Sequence, residues 1–286
     1  MQINHFFDCQ TSTLTYVVYD EDSRDTVVID PVLDFEPSSA VVSRVNLKIL
    51  KDFIQDAGLT LRMILETHVH ADHLSAAYFL KQAYPQAKIA ISQAVTVVQK
   101  FFRPVFHENP PLAGDGSQFD RLLHHNETVM AGTLSFKVLA TPGHTPACCS
   151  FLFGDALFTG DALLMPDSGT GRCDFPRGSA RQLYQSIHDN IYTLPNFTRI
   201  FVGHDYQPQG RELSFCSSVD EEQATNYLLH RHTTLSEFIA ARQRRDLNLS
   251  PPRLFYPSLQ VNLRGGRLPE PEKNNFRYFK TPLFLK

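Results

Sequence analysis

The chain has little of what marks the more specialised protein classes. Its 286 residues include five cysteines (Cys9, Cys148, Cys149, Cys173 and Cys216), an odd number with no CxxC pair. That argues against a disulfide framework and against a structural zinc knuckle. No apolar run approaches the roughly 20 residues needed to span a bilayer. The opening "MQINHFFDCQTSTLTYVVYD" lacks the basic lead and apolar core of a secretory signal. The expectation is a cytoplasmic protein with no membrane partner. Neither sign of charge accumulates: 27 Lys plus Arg against 30 Asp plus Glu leave a net charge of −3, with no electrostatic footprint for nucleic acid. What remains, 42% hydrophobic and 20% charged residues, is ordinary globular material with ample apolar content for a core. The length suits one large domain or a domain with a modest extension.

The pattern that is present alternates strands with helices. Residues 13–19 and 26–30 form a hairpin signal around the polar turn "DEDSRD". Apolar positions at helical spacing fill 41–57, and Gly58 stops the run. Strands are expected at 61–67, 87–92, 134–140, 149–153, 156–160 and 199–204, and helices at 74–84, 93–102 and 179–192. Residues 103–126 are rich in Pro and Gly and lack periodicity, which marks a long excursion that is often functional. Two helices are expected within 219–245; residues 250–286 read as mostly irregular, apart from a strand at 276–280. The alternation predicts an α/β fold of sheets covered by helices.

The chemistry is concentrated in "ETHVHADHLSAA", which places His68, His70, Asp72 and His73 within six positions. His144 in "TPGHTPA", Asp161 in "FTGDALL", His204 in "FVGHDY" and Asp30 in "VVIDP" each follow an apolar strand-like run. Such runs end together at one edge of a sheet. Imidazole and carboxylate donors converging there suit Zn(II), Fe(II) or Mn(II). Each of the outlying pieces alone is weak, since a PGH turn is usually only a turn; the HxHxDH loop followed by the other three in order is not.

The series "THVHADH", "TPGHT", "TGDAL" and "GHDY", from about residue 12 to residue 206, resembles the metallo-β-lactamase superfamily. That resemblance implies an αββα sandwich with the metal at the sheet edge. Residues 1–217 would then form the catalytic domain, with 103–126 as an insertion loop, and 218–286 a C-terminal helical and irregular extension packed on it. Within the superfamily, "GTGRCDFPRG" is similar to the GRxDFxxG signature of the persulfide dioxygenase branch, and the tail resembles that of its longer bacterial members. The branch implies one Fe(II) held by His68, His144 and Asp161, with glutathione persulfide and O2 as substrates and sulfite and glutathione as products, a place in sulfide detoxification. Two imidazoles and one carboxylate on one face leave the opposite face open, as non-heme iron requires. A homodimer stays open.

His70, Asp72, His73 and His204 have two readings. In a dinuclear zinc hydrolase of the glyoxalase II kind, the related alternative, they complete the first position and build the second, with Asp161 bridging. In the one-iron reading they orient the ligands. Asp30 is expected to orient a ligand loop. Arg172 could pair with a glutathione carboxylate or form a structural ion pair with Asp174. Tyr206 could donate a hydrogen bond to substrate or sit in the core. Several conspicuous features take plainer readings: Cys148, Cys149 and Cys173 as small core residues, His124 and His125 as exposed, Arg242, Arg244 and Arg245 as a solvated helix face, and Phe101 and Phe102 as core. Ala76, where many relatives carry glycine, is tolerable if φ is negative there. β-Lactam or lactone hydrolysis leaves the GRxDFxxG-like segment unexplained, and a non-enzymatic metal-holding sensor leaves the intact ligand set without a purpose.

Overall fold

A computed structural model describes residues 1–106 and 111–284. Two six-stranded sheets carry the fold, and in each the strands lie side by side in chain order. The first comprises β1 (Gln2–Asp8), β2 (Thr13–Tyr19), β3 (Asp25–Ile29), β4 (Thr60–Leu65), β5 (Lys88–Ser92) and β6 (Arg121–Leu123). The second comprises β7 (Thr128–Ala131), β8 (Leu134–Ala140), β9 (Cys149–Phe153), β10 (Ala156–Gly160), β11 (Arg199–Val202) and β12 (Cys216–Ser218). The β1–β2–β3 pairs are antiparallel and the β3–β4–β5–β6 pairs parallel. Parallel neighbours need crossovers, supplied by α1 (Val45–Asp56), α2 (Ala77–Ala83) and α3 (Val95–Phe106). In the second sheet only β10 and β11 are parallel, and α4 (Ala180–Asn190) joins them.

Alternation along the strands sorts side chains between two layers of core. Leu14, Tyr16 and Val18 of β2, Val27 and Ile29 of β3 and Met63 and Leu65 of β4 face the second sheet, meeting Phe136, Phe151, Phe153 and Phe158. Val17, Val28, Ile64, Ile89 and Ile91 face outward against Leu50 and Ile54 of α1, Leu80 of α2 and Val98 and Phe102 of α3. The outer face of the second sheet takes Leu183 and Ile187 of α4 and Phe238 of α6 (Leu235–Asp246). The result is the layered α/β/β/α arrangement.

Several expectations need correction. β1, β7 and β12 were not foreseen, and β6 lies inside the stretch 103–126. That stretch is no uniform excursion: α3 runs on through Pro104 to Phe106, residues 107–110 lie outside the described residues, and β6 rejoins the sheet beside β5. Pro104 lacks the N–H that would bond the carbonyl of residue 100 and its ring crowds that carbonyl, a local cost in the last turns of α3. The boundary expected after residue 217 falls inside β12. The two helices expected within 219–245 are α5 (Val219–Thr225) and α6. The 250–286 tail holds α7 (Phe255–Asn262), whose Leu259 and Val261 are fully buried, while no strand forms at 276–280. No helix of the described residues is long and apolar enough to cross a membrane.

Candidate metal centre

Strand register brings the chemical residues to one edge. Ile29 pairs with Leu65 across parallel β3 and β4, so Asp30 and Glu66 leave the sheet side by side. Gly160 pairs with Val202 across β10 and β11, which puts Asp161 beside the turn carrying His204. His144 arrives on the β8–β9 connection. His68, His144 and Asp161, all buried, offer ligand atoms that lie within 4.8 Å of one another. His144 Nε2 is 3.5 Å from Asp161 Oδ2, and the His68 and His144 rings meet edge to face at 4.9 Å.

The other ring nitrogens are already engaged, which determines the tautomers. His144 Nδ1 donates to the carbonyl of Arg172 at 2.6 Å, and His73 Nδ1 to that of Leu74 at 3.1 Å. His204 Nδ1 donates to Ser12 O at 3.2 Å. Thr67 Oγ1 donates to Asp30 Oδ2 at 2.7 Å and so receives His68 Nδ1–H at 3.0 Å. In the neutral form each of these four rings therefore presents an Nε2 lone pair. His68 Nε2, His73 Nε2, His204 Nε2, Asp72 Oδ2 and Asp161 Oδ1 are buried without a hydrogen-bond partner. Each such atom costs about 1–3 kcal/mol unless something binds it, and a divalent metal ion fits this donor set. Burial, reinforced by the neighbouring histidines, pushes the pKa of His68 well below its ordinary value and that of His73 down to about 4. Both rings are neutral, as a metal ligand must be.

His70 behaves differently. Its Nε2 lies 3.0 Å from Asp30 Oδ1 and 3.4 Å from Glu66 Oε2, ion-pair distances without hydrogen-bond alignment. Burial opposes its charge, but the two carboxylates outweigh that and hold its pKa well above the ordinary value. Asp30 also accepts the Thr67 backbone N–H at 2.7 Å and so ties the loop to β3, with its own φ at +50°. Glu66, which the sequence reading passed over, takes a short hydrogen bond from Ser75 Oγ. Its place, directly before the histidine loop at a strand end, was the available signal. Asp72 and His73 form a second candidate group with His70, and His204 Nε2 stands 3.2 Å from Asp72 Oδ2 and 3.4 Å from Asp161 Oδ1.

The segment 169–178 wraps this centre through its backbone. A side chain at Gly171 would come within 2.2 Å of the Asp161 carbonyl, and one at Gly178 within 2.9 Å of the His144 carbonyl. The glycines allow the loop to lie against both residues. Phe175 is buried 6.5 Å from the His144 ring. Arg172 grips Asp174 through two bonds of 2.6 Å and the Ser250 carbonyl at 2.8 Å. Of its two readings, the ion pair is the one the geometry displays.

A sequence profile of the Metallo-beta-lactamase superfamily matches residues 10–204. The chain belongs to the metallo-β-lactamase superfamily. It is 45% identical to a probable metallo-hydrolase of Burkholderia pseudomallei, over 99% of each chain. It is 40% identical to Glyoxylase B2 of Dictyostelium discoideum, covering 100% of this chain and 98% of that one. Identity to the human mitochondrial persulfide dioxygenase ETHE1 is 32%, over 92% and 88% of the two chains. Among solved structures, ETHE1 from Myxococcus xanthus superposes with a TM-score of 0.75 at 34% identity, covering 93% of this chain and all of that one.

As in any member of this superfamily, access to the metal edge decides what can react there. A cavity of about 800 Å³ reaches His144, Asp161 and Asp72, walled by Leu164, Phe175, Pro251, Pro252, Phe255 and Tyr256. Much of that wall comes from the tail, where the sequence offered no functional signal. Tyr206 also lines it, stacked parallel on His204 at 5.6 Å and 53% exposed, so it is no core residue. Arg242 is only 1% exposed, contrary to the solvated face expected for it; it pairs with Asp246 because α6 turns this side toward the 169–178 loop. From α7, Asn262 donates to the carbonyls of His70 and His73 and accepts the Ser75 N–H, all at 2.8 Å. An asparagine about 190 residues away gave no sequence signal. Cys148, Cys149 and Cys173 are buried, His124 and His125 exposed, and Ala76 has φ −87°. Of the aromatic pair, Phe102 is core and Phe101 is partly exposed.

Proposed function

We propose that the protein is an iron-dependent persulfide dioxygenase that converts glutathione persulfide, O2 and water to glutathione, sulfite and two protons. The observation that carries this reading is the buried group of His68, His144 and Asp161, two imidazoles and one carboxylate whose ligand atoms lie within 4.8 Å of one another. His70 turns its Nε2 to Asp30 and Glu66, although it also groups with Asp72 and His73. His68, His144 and Asp161 would hold a single Fe(II), leaving its remaining positions free for exogenous ligands. When bound, iron supplies the redox chemistry that joins dioxygen to a persulfide sulfur. The chain contributes the rest. The Nδ1 hydrogen bonds of His68 and His144 fix both rings, and Asp30 and Asn262 hold the loop between β4 and α2. The apolar wall limits water at the reacting face, and the Tyr206 hydroxyl faces the same cavity with no partner among the described residues. The likeness to the human and M. xanthus proteins supports this reading.

The test is anaerobic purification followed by metal analysis, oxygen uptake and sulfite measurement with glutathione persulfide. About one iron per chain with sulfite formed is the expected result. Two zinc ions per chain and no oxygen uptake would sink the proposal.

A second reading has one specific observation in its favour. Asp72, His73 and His204 carry unpartnered buried atoms of their own, and Asp161 faces His144 with one oxygen and His204 with the other. This is the donor set for a second ion, with Zn(II) at both positions and a glutathione thioester as substrate. The likeness to Glyoxylase B2 supports it. Cleavage of a hydroxyacylglutathione by the two-zinc protein, without oxygen consumption, is its signature.

A further inference from the structure

Four arginines line the cavity over the metal edge: Arg172, Arg242, Arg245 and Arg253. Two are already matched by carboxylates. Arg172 holds Asp174 through two hydrogen bonds, and buried Arg242 holds Asp246 while donating Nη1 to Thr170 O at 2.9 Å. The other two are held more loosely. Arg245 makes one long bond, Nη1 to Ser168 O at 3.3 Å, and lies over the Tyr227 ring; its Nε and Nη2 have no partner among the described residues. Arg253 approaches only Glu36, at 4.0 Å, and is 54% exposed.

Asp174 pairs with Arg172 and Asp167 takes Arg211 at 2.5 Å, while Asp72 Oδ2 and Asp161 Oδ1 are unpartnered and face the metal edge. Away from that edge the wall presents loosely held positive charge and no unmatched negative charge. The rest of its lining is mostly apolar and prolyl, so a ligand seated there gains ionic contacts at those two side chains only. Arg245 and Arg253 line the same cavity as His144, Asp161 and Tyr206, so one ligand seated there can meet both the arginines and the metal edge.

We propose that Arg245 and Arg253 form the carboxylate-reading rim of the substrate site, so that the C-terminal extension selects a thiol carrier bearing carboxylates, a tripeptide of the glutathione type. A guanidinium binds a carboxylate through paired N–H bonds, and Arg245 has the adjacent Nε and Nη2 donors for this. The proposal rests on the reading of the site as one for a glutathione derivative, and it moves recognition from Arg172 to two arginines that no sequence motif marks.

The test uses the full chain and an inert probe, S-methylglutathione, with calorimetric binding to wild type, to Arg245→Gln, to Arg253→Gln and to the double variant. The expected result is a Kd weakened about 10-fold by each substitution and about 100-fold by both. The dimethyl ester of the probe binds weakly to all four proteins. With the iron-loaded protein, KM for glutathione persulfide rises in parallel while kcat stays within about twofold, the pattern of lost uniform binding. The proposal is overturned if wild type does not bind the probe, if the double variant binds it as well as wild type does, if the ester binds as tightly as the acid, or if S-methyl coenzyme A, a phosphate-bearing carrier, binds in its place. Dioxygenase failure is read separately. Absent oxygen uptake with arginine-dependent probe binding intact removes the reaction and keeps the rim.

Discussion

Two buried polar clusters in this molecule differ in whether their atoms find partners. Beneath the extension, Arg242 gives three bonds to Asp246 and Thr170 O, and Asp246 receives the Cys173 N–H at 3.0 Å. Nearby, Glu222 takes Ser217 Oγ and Asn226 Nδ2, and Asn226 caps the N–H groups of Leu228 and Leu229. At the sheet edge, by contrast, eight buried side-chain atoms of Glu66, His68, His70, Asp72, His73, Asp161 and His204 have no hydrogen-bond partner among the described residues. Buried polar groups are nearly always matched, so the first cluster is a clamp and the second is a binding site. The clamp shapes the loop that touches His144, which is how a stability element acts on a chemical one.

The sharpest way to break this contrast is to remove an edge ligand. His144→Ala is expected to drop bound metal to a small fraction of stoichiometry and kcat/KM by about a thousandfold or more, with the fold intact by circular dichroism. Metal retained at full occupancy would show that His144 is not a ligand. Next in size is the clamp. Arg242→Met leaves Asp246 buried without its charge partner, a change that costs about 3–5 kcal/mol, read as a fall in the denaturation midpoint. The double variant Arg242→Met/Asp246→Leu should recover much of that stability but not full activity, since Thr170 O and the Cys173 N–H lose their partners.

Glu222 sharpens the contrast through pH. Burial pushes its carboxyl up to about 8, and the bonds from Asn226 and Ser217 only partly offset this. A folded pKa above the unfolded one means the fold prefers the protonated acid. That contribution is complete below about pH 4.5 and is lost as pH rises through 8. Glu222→Gln, which cannot ionise, should therefore gain on wild type with pH. The difference is expected to stay under about 1 kcal/mol at pH 5 and reach about 5 kcal/mol at pH 9 by urea denaturation. A difference constant across pH would show that the carboxyl is already ionised in the fold.

How much of this was legible follows from the range of each interaction. The edge donors could be read because a metal demands particular side chains at strand ends, and "THVHADH", "PGH", "GDA" and "GHD" write that demand locally. The layered fold followed from alternating strand and helix periods, although β1 and β7 were missed because flanking polar residues blur their alternation. What stayed hidden depends on contacts across long sequence separations. The carbonyl of Arg172 that holds His144 has no side-chain identity. The burial of Arg242 follows from how α6 docks. The cavity wall depends on where residues 249–256 come to rest. Glu66 was within reach and was overlooked beside more conspicuous neighbours.

Asn262 joins the two kinds of cluster, because it is itself fully matched while holding the backbone of the unmatched one. Its amide donates to the carbonyls on either side of Asp72, and its oxygen accepts the Ser75 N–H. Removing it should loosen the loop without touching a metal ligand. Asn262→Ala is expected to cost about 2 kcal/mol of stability and to weaken metal binding about 10-fold, the usual scale for groups that orient ligands. Asn262→Asp keeps the acceptor for Ser75 but loses both donated bonds, and it sets a carboxylate against two carbonyls. If the two variants weaken metal binding alike, the donated bonds carry the effect. If Asn262→Asp binds metal as wild type does, the clamp acts through Ser75 and the start of α2 instead. Equal metal affinity in wild type and Asn262→Ala would mean that the histidine loop holds its shape without the tail, and that the matched and unmatched clusters are independent.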